Sequence, residues 1–363
     1  MKKIVVLFIL ITNIISCQNK KNMEQKFEYE ANTGAPMGYP AEVYKGEFIN
    51  TNNGSSMSLW GGITAGNRSW GTATGGGWGH SNHPLPDHLH VIWLSYAEDC
   101  FYEVNTPIDK DKILSLFREG YLWMGANGNI RPDNYDQITA GFAPGGVVVV
   151  WVAGATQQVE IGRYQGKKIV IPQKEIQAAK QNPEYKLLFD KENRKEVMQD
   201  NSVIPQEVID VNKNKPIPYG LWDTYRKKYP WRLVFKFRGE SVLNSKGAIK
   251  NKFLNGEKFE LYAKDFPIEK PFLQAVPRSF SFSWKAPDGF YYAGYCKFEE
   301  ETILSAFEEI FSDNSRDITA DLVISVNQAN TYFIVRLIGS NGKEIVIPTP
   351  EIEVFRATRY DNM

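Results

Sequence analysis

Apolar and polar residues alternate along much of the chain with the period of two that is typical of half-buried β-strands. The segments LHVIWLSY at 89–96 and FSFSWKA at 280–286 follow this pattern, and each precedes a short turn and a second segment that opens with Phe-Tyr. Each half of the chain is therefore predicted to contain a β-hairpin.

Two β-branched runs, GGVVVVWVAG at 145–154 and TYFIVRLIG at 331–339, predict further strands. We expect each run to pair through a turn with the segment that follows it, KKIVI at 167–171 or KEIVI at 343–347. The proline after each of these segments should end the strand.

Once in each half, the spacing between apolar residues changes from two positions, as in a strand, to three and four positions, as in a helix. The residues concerned are Ile113, Leu114 and Phe117 in the first half and Ile303, Leu304 and Phe307 in the second. This spacing predicts one amphipathic helix of about ten residues in each half.

Several segments recur in the same order along the chain. LPDHLHVIW at 85–93 matches VPRSFSFSW at 276–284, and ILSLF at 113–117 matches ILSAF at 303–307. KKIVIP at 167–172 likewise matches KEIVIP at 343–348. Because independent segments agree in order while their separation drifts slowly, the chain is interpreted as a duplication with changes in loop length.

The predicted fold is α+β, with two repeated modules that each combine a mostly antiparallel sheet with one amphipathic helix. We place the first module, which includes a Gly/Trp loop, at 27–172 and the second, more divergent copy at 219–363. Residues 173–218 between them are rich in charge and end in NKNKPIP. They are predicted to form a charged helical insert on the surface, followed by a linker.

The N-terminal sequence predicts that the protein is located in the cell envelope. Residues 1–16 carry Lys2 and Lys3 before a 12-residue apolar run, which is shorter than the about 20 residues that span a bilayer. The run leads into Ile-Ile-Ser-Cys, which resembles a bacterial lipobox and implies acylation of Cys17. The alternative is a plain secretory signal in which this cysteine is incidental.

We therefore predict a signal peptide at 1–16 and a lipid-anchored tether at 17–26. Residue Gln18, which follows the cysteine where an Asp would favour retention at the inner membrane, favours the outer membrane. The tether contains no acidic run of the kind linked to surface export, so we expect the body to face the periplasm. The lipid bilayer is thus the first predicted partner.

The charge balance and a search for known motifs exclude several classes of function. The chain has 42 basic and 42 acidic side chains, and removal of the signal peptide leaves 40 against 42, which argues against bulk binding of nucleic acid. The sequence contains no G-x-S-x-G elbow, P-loop or dinucleotide fingerprint. We expect a non-enzymatic protein that binds a partner protein or a glycan and requires no cofactor.

The stretch from 27 to about 239 resembles the domain-of-unknown-function 2931 family of bacterial lipoproteins. The resemblance rests on GAPMGYPAEVYKGEF at 34–48, GGGWG at 75–79, HPLPDHLHVIWLSYAEDCFYE at 83–103 and YGLWDTYRKKYPWRL at 219–233. It implies a lipoprotein without an established reaction. Because some small periplasmic lipoproteins protect cells against toxic effectors, an immunity role is an alternative by analogy.

All four histidines of the chain lie within 11 residues, at His80, His83, His88 and His90. The last two should point to one face of a strand, and the first two should lie in the loop before it. Imidazoles from a loop and a strand could converge on Zn²⁺ or a similar ion, which would make a metal-binding protein or a metal-dependent enzyme. Alternatively they are ordinary polar positions around the turn at Pro84 and Pro86.

Residues 54–79 form the Gly/Trp loop, in which Trp60, Trp70 and Trp78 stand among many glycines. Exposed Trp rings could stack on a sugar or anchor a partner protein, so this loop is a candidate ligand surface. Alternatively the rings fold back and cap the sheet.

Cys100 and Cys296 remain besides Cys17. The periplasm permits a disulfide, but whether these two thiols meet depends on how the modules pack, which the sequence leaves open.

Overall fold

The computed structural model describes residues 25–59, 61–74, 81–125, 127–312, 317–348 and 351–360. Strands make up 45% and helices 17% of the chain, so the mixed α and β class that was predicted is confirmed. The predicted signal peptide and Cys17 lie outside the described residues, as do Trp60, Trp78 and His80.

The first half contains two large sheets, a two-stranded sheet and one helix. Its elements are β1 (Lys26–Gly34), β2 (Ala41–Asn50), β3 (Ser55–Ser58), β4 (Ile63–Thr64), β5 (Ser81–Pro84), β6 (His88–Ser95), β7 (Cys100–Pro107), α1 (Lys110–Glu119), β8 (Tyr121–Met124), β9 (Ile130–Asp133), β10 (Gln137–Ala143), β11 (Val147–Ala153), β12 (Gln158–Gln165) and β13 (Lys167–Ile169). The strand order β5-β1-β10-β11-β12 faces the order β13-β7-β6-β2-β3, and their side chains share one core. The predicted helix is α1, whose Ile113 and Phe117 enter that core.

Four short helices follow, and the second half also contains two facing sheets. These elements are α2 (Gln173–Ala179), α3 (Lys191–Val197), α4 (Gln206–Asn212), α5 (Leu221–Thr224), β14 (Lys228–Phe237), β15 (Val242–Leu243), β16 (Ala248–Phe253), β17 (Lys258–Tyr262), β18 (Phe272–Ala275), β19 (Pro277–Lys285), β20 (Tyr291–Lys297), α6 (Glu300–Ile310), β21 (Ala320–Val326), β22 (Phe333–Gly339), β23 (Glu344–Ile347) and β24 (Glu351–Arg356). The order β18-β14-β21-β22-β23 faces β17-β16-β19-β20-β24, and α6 packs Ile303 and Phe307 into the shared core.

The two predicted hairpins are β6–β7 and β19–β20, both antiparallel. Within the described ranges, only two strand pairs are parallel, β1 with β10 and β14 with β21. In each half the parallel pair encloses the hairpin and its helix in sequence, so both halves connect their sheets in the same order.

Strand β11 is where the two halves join. All seven of its residues are buried, because alternate side chains enter different cores. Val148, Val150 and Val152 face the first core, whereas Val149 and Trp151 face the second. A strand covered on both faces needs a continuous apolar run, which explains the VVVVWV sequence. The sheet then continues into the second half through the pairing of β12 with β17.

The expected pairing of the 145–154 run with KKIVI was wrong. Strand β11 pairs with β12, which follows it directly through a short turn, and the Lys167–Ile169 strand instead pairs with β7 in the facing sheet. Strand β12 pairs with β11 because it is the next strand along the chain, and the chain then crosses to the facing sheet at Gly166. In the second half, the KEIVI strand does pair with β22, as predicted. The KKIVIP and KEIVIP segments therefore occupy different places in their sheets.

The insert, residues 173–218, packs against the first half and does not only cover its surface. Its apolar residues Leu188, Phe189 and Ile204 are buried against the outer face of the β2–β6–β7 sheet. Phe189 stacks on Phe101 with ring centroids 5.3 Å apart. The insert covers this face because apolar positions recur between its charges, and it thereby adds a third core.

Candidate binding clefts at the junction of the two halves

The Gly/Trp loop enters the interior at Trp70. This ring is 3% exposed and packs edge-on against Trp151, with centroids 4.9 Å apart. Gly141 makes room, since a Cβ there would lie within 2.9 Å of both indole rings. Its ring thus caps the sheet, which was the alternative, although Trp70 also lines the two clefts described below, so the expectation that it faces a partner stays a prediction. For Trp60 and Trp78 the expectation stays untested.

The same loop closes against the second half through two glycines. Gly71 has φ +84° and Gly256, in the turn between β16 and β17, has φ +89°. A Cβ on Gly71 would lie 2.4 Å from the Cα of Gly256. The side chain of Gln158 donates to the carbonyls of both glycines, at 2.6 and 2.7 Å. These contacts fix the loop at the junction of the two halves.

The connector, residues 213–227, is held against β12 by two ion pairs. The Arg163 guanidinium donates to both oxygens of Asp223 at 2.8 and 3.0 Å, and Arg226 donates to Glu160 at 2.7 Å. Two nitrogens on two oxygens is the geometry in which an Arg–carboxylate pair is most directional. The connector therefore has a fixed place beside the Gly/Trp loop.

A first cleft, here called the connector cleft, has a volume of about 530 Å³. The first half contributes Met37, Tyr39 and Trp70, the insert and connector contribute Val208, Asn212, Trp222 and Tyr225, and the second half contributes Arg278, Glu300 and Glu301. The Tyr39 and Trp222 rings meet edge-on at 5.5 Å. Apolar walls with a few converging polar groups are typical of small-ligand sites.

A buried carboxyl lies in the wall of the connector cleft. Tyr225 donates its hydroxyl hydrogen to Glu300, and burial raises the pKa of the Glu300 carboxyl, although this hydrogen bond and the charge of Arg278 lower it. Burial also raises the pKa of Tyr225. The pair thus places a hydroxyl and a carboxyl side by side in the wall of the cleft, where they can hydrogen-bond to a ligand.

A second cleft, the lysine cleft, has a volume of about 440 Å³ and lies on the other side of Arg278. Its cationic residues are Lys250, Lys252, Lys258 and Arg278. Its two carboxylates already have partners: Glu257 pairs with Lys228 at 2.8 Å and Glu260 with Lys250 at 3.4 Å. Positive charge therefore dominates this cleft.

Trp70 and Arg278 belong to the walls of both clefts. One guanidinium nitrogen of Arg278 donates to the carbonyls of Trp70 and Leu254 at 3.4 and 3.3 Å. Among the described residues the guanidinium has no further hydrogen bond and no ion pair. An arginine has five donor hydrogens, so most of its capacity remains for a ligand.

The three described histidines lie apart from both clefts. His88 and His90 point to one face of β6, as predicted, where His90 Nε2 lies 2.9 Å from Glu103 Oε1 and His88 Nε2 lies 2.5 Å from Asn105 Oδ1. The ring of His83 instead packs edge-on against Tyr29, at 6.4 Å. Within the part of the chain that the structure describes, no group of three or more His, Cys, Asp or Glu is arranged to hold a metal ion.

The metal hypothesis therefore depends on His80 and stays a prediction. If the cluster binds Zn²⁺, protein purified without a His-tag should contain about one equivalent of metal, because three or four imidazoles suffice for a tetrahedral site. The double substitution His88→Ala and His90→Ala should remove it. Elemental analysis of both proteins checks this, and a metal content near zero in the unsubstituted protein would end the hypothesis.

The two described cysteines are free and buried in different cores. Burial raises the pKa of the Cys296 thiol to about 12 and also raises that of Cys100. Both thiols therefore pack as small apolar groups, which answers the question of a disulfide between them.

Apart from Trp70, the residues that form the clefts were not predicted from the sequence. Arg278 stands within the repeated VPRSFSFSW segment, opposite Asp87 of the first copy, and this change of charge was the available signal. Glu300 and Tyr225 lie in ordinary helix-start and connector sequence, so nothing in their spacing marks them.

These features define a sheet-rich α+β protein of two facing-sheet units with concave sites at their junction. The chain belongs to the family described as protein of unknown function (DUF2931), whose profile matches residues 16–220. This match ends at Gly220, just before α5. No curated protein and no solved structure matches the chain. None of the helices within the described ranges has the length and apolar character needed to cross a membrane.

Proposed function

We propose that this chain is a lipid-anchored protein of the bacterial envelope that acts by binding a ligand and not by catalysis. Acylated Cys17 anchors it, in the outer membrane, with the folded body in the periplasm. The support for the anchor is the lipobox-like end of the signal peptide. The observation that carries binding is the connector cleft, which combines aromatic walls with the Glu300–Tyr225 pair and the guanidinium of Arg278.

The ligand proposed for this cleft is a glycan fragment. A concave site of about 530 Å³ fits a small ligand, whereas a protein partner is usually met by a broad and flatter surface. Asn212 and Glu301 supply hydrogen-bonding groups to hydroxyls, beside the aromatic ring of Tyr39. A toxic effector protein, which would make this an immunity protein, is the competing ligand that the experiment below also tests.

We also propose that the two units arose by duplication of one module. The matching sequence segments support this origin, together with the shared order of parallel pair, hairpin and helix in both halves. Only the first copy carries the Gly/Trp loop. Because this loop contributes Trp70 to both clefts, the proposed ligand sites lie at the junction of the two units and not within either module.

The test uses full-length protein extracted from membranes in detergent. Mass spectrometry of its N-terminal peptide should find acyl chains on Cys17, and Cys17→Ala should release the protein from the membrane. The extracted protein is then applied to a glycan array. We expect selective binding that falls at least about tenfold in Met37→Arg, because the longer side chain occupies the cleft that Met37 lines.

Ile63→Arg is the matched control. Ile63 is 39% exposed and Met37 is 41% exposed, and both lie in the first half, but Ile63 is outside the cleft. Equal binding by the two variants, or no glycan bound by the unsubstituted protein, contradicts the glycan proposal. Co-purification of one secreted effector that Met37→Arg abolishes would favour the immunity role instead.

A further inference from the structure

The lysine cleft holds two like charges in direct opposition. Lys252 on β16 and Lys258 on β17 are cross-strand partners in the antiparallel register, so both side chains stand on the same face of the sheet. Like charges at directly opposed positions destabilise a strand pair. The neighbouring pair in the same register, Lys250 and Glu260, has opposite charges and forms an ion pair at 3.4 Å. Within this ladder Lys252 and Lys258 therefore lack the ion pair that their neighbours form.

Neither of these lysines has a carboxylate partner among the described residues. The ammonium of Lys258 donates to the carbonyl of Ala155 at 3.2 Å. Burial and the charge of Lys252 lower the pKa of Lys258, although the charges of Asp136 and Glu260 act against them. Arg278 adds a third cation with donor hydrogens to spare. Lys252, Lys258 and Arg278 thus border the cleft without an ion pair in the described residues, while its carboxylates Glu257 and Glu260 pair with Lys228 and Lys250.

Two neutral donors in the same wall also lack partners. The indole N–H of Trp70 and the hydroxyl of Thr156 are buried and make no hydrogen bond. A buried donor without an acceptor costs about 1–3 kcal/mol. Trp70 is 3% exposed, so bulk water does not reach its ring. The two donors show that this wall, as far as the structure describes it, lacks acceptors for them, and an acceptor-rich anion in the cleft would neutralise its cations.

We propose that the lysine cleft binds the phosphate group of a small phosphorylated molecule, or inorganic phosphate itself. A phosphate monoester carries a charge between about −1.5 and −2 at neutral pH and several strong acceptor oxygens. It matches the cation set better than a carboxylate, which carries one charge and two oxygens. Lysines bind phosphate as point charges and arginine as a fork.

This site shares Trp70 and Arg278 with the connector cleft, but the inference does not rest on the proposed glycan ligand. The Met37→Arg variant should bind phosphate as the unsubstituted protein does. Failure of glycan binding with retained phosphate binding would therefore overturn only the earlier proposal.

The experiment measures heats of binding and melting temperatures of the full-length protein at constant ionic strength. The probes are inorganic phosphate, glucose 6-phosphate and glucuronate. We expect both phosphates to bind and to raise the melting temperature, with glucuronate at least about tenfold weaker. Tighter binding of glucose 6-phosphate identifies a phosphorylated sugar as the source, and equal binding identifies free phosphate; both support the inference.

Lys252→Gln and Lys258→Gln should each weaken phosphate binding about tenfold. In phosphate-free buffer, Lys252→Gln should melt at or above the temperature of the unsubstituted protein, because removal of one lysine relieves the repulsion. If Lys252 had only a structural role, this substitution would lower the melting temperature in phosphate-free buffer.

Lys236→Gln is the control, since Lys236 is an exposed strand lysine on β14, outside the cleft. It removes the same charge from the chain and should leave phosphate affinity unchanged. Equal weakening by Lys236→Gln would mean bulk attraction, and equal affinity for glucuronate would mean no preference for a dianion. Either result, or no heat from the phosphates at millimolar concentration, overturns the inference.

Discussion

Trp151→Ala is expected to lower the free energy of unfolding by about 3–5 kcal/mol, the usual cost of removing a large buried ring. Trp151 is fully buried in β11, contacts Trp70 edge-on, and donates its indole hydrogen to the carbonyl of Asn255 at 3.1 Å. The ring therefore ties the Gly/Trp loop, the shared strand and the second half together. Denaturant unfolding followed by circular dichroism gives the measurement.

Two further substitutions make this prediction specific. Trp151→Phe keeps most of the ring and loses the hydrogen bond, so it should cost clearly less than the alanine change. Trp123→Ala is the control, because Trp123 lies half-buried in the small β8–β9 sheet and its main ring contact is Arg131. If Trp123→Ala destabilises the protein as much as Trp151→Ala, the junction is not the energetic centre that its burial indicates.

Gly71→Ala should lower the free energy of unfolding by more than about 2 kcal/mol. Two causes add. The positive φ of +84° disfavours any residue with a Cβ, and the new Cβ would lie 2.4 Å from the Cα of Gly256. Because backbone and not a flexible side chain stands in the way, the Gly/Trp loop must move off the second half. Thermal and denaturant unfolding measure the loss.

Gly289→Ala separates the two causes. Gly289 has φ +88°, close to that of Gly71, but a Cβ there meets nothing within 4 Å. It should therefore show only the backbone cost of about 1–2 kcal/mol. Equal losses for the two variants would mean that the contact between Gly71 and Gly256 adds nothing, and that the loop is not pinned at the junction.

Local sequence patterns predicted the individual strands and helices more accurately than the pairing between strands. The period-two segments are the hairpins β6–β7 and β19–β20, and the apolar spacing of Ile113 and Phe117 marks the core face of α1. These features are predictable because each depends on which face of one element is buried. The pairing of the KKIVI segment was mispredicted, since its sequence suits a strand in either sheet and only the crossing at Gly166 decides between them.

The sequence alone determined where most of the strands and the two amphipathic helices form. It did so because side-chain periodicity reports burial within one element. The tertiary structure decided that Trp70 caps the sheet, that the cysteines lie in separate cores, and that Lys258, Arg278 and Trp70 border one cleft. Those residues lie up to 208 positions apart, and their meeting depends on how two units pack, which no local pattern encodes.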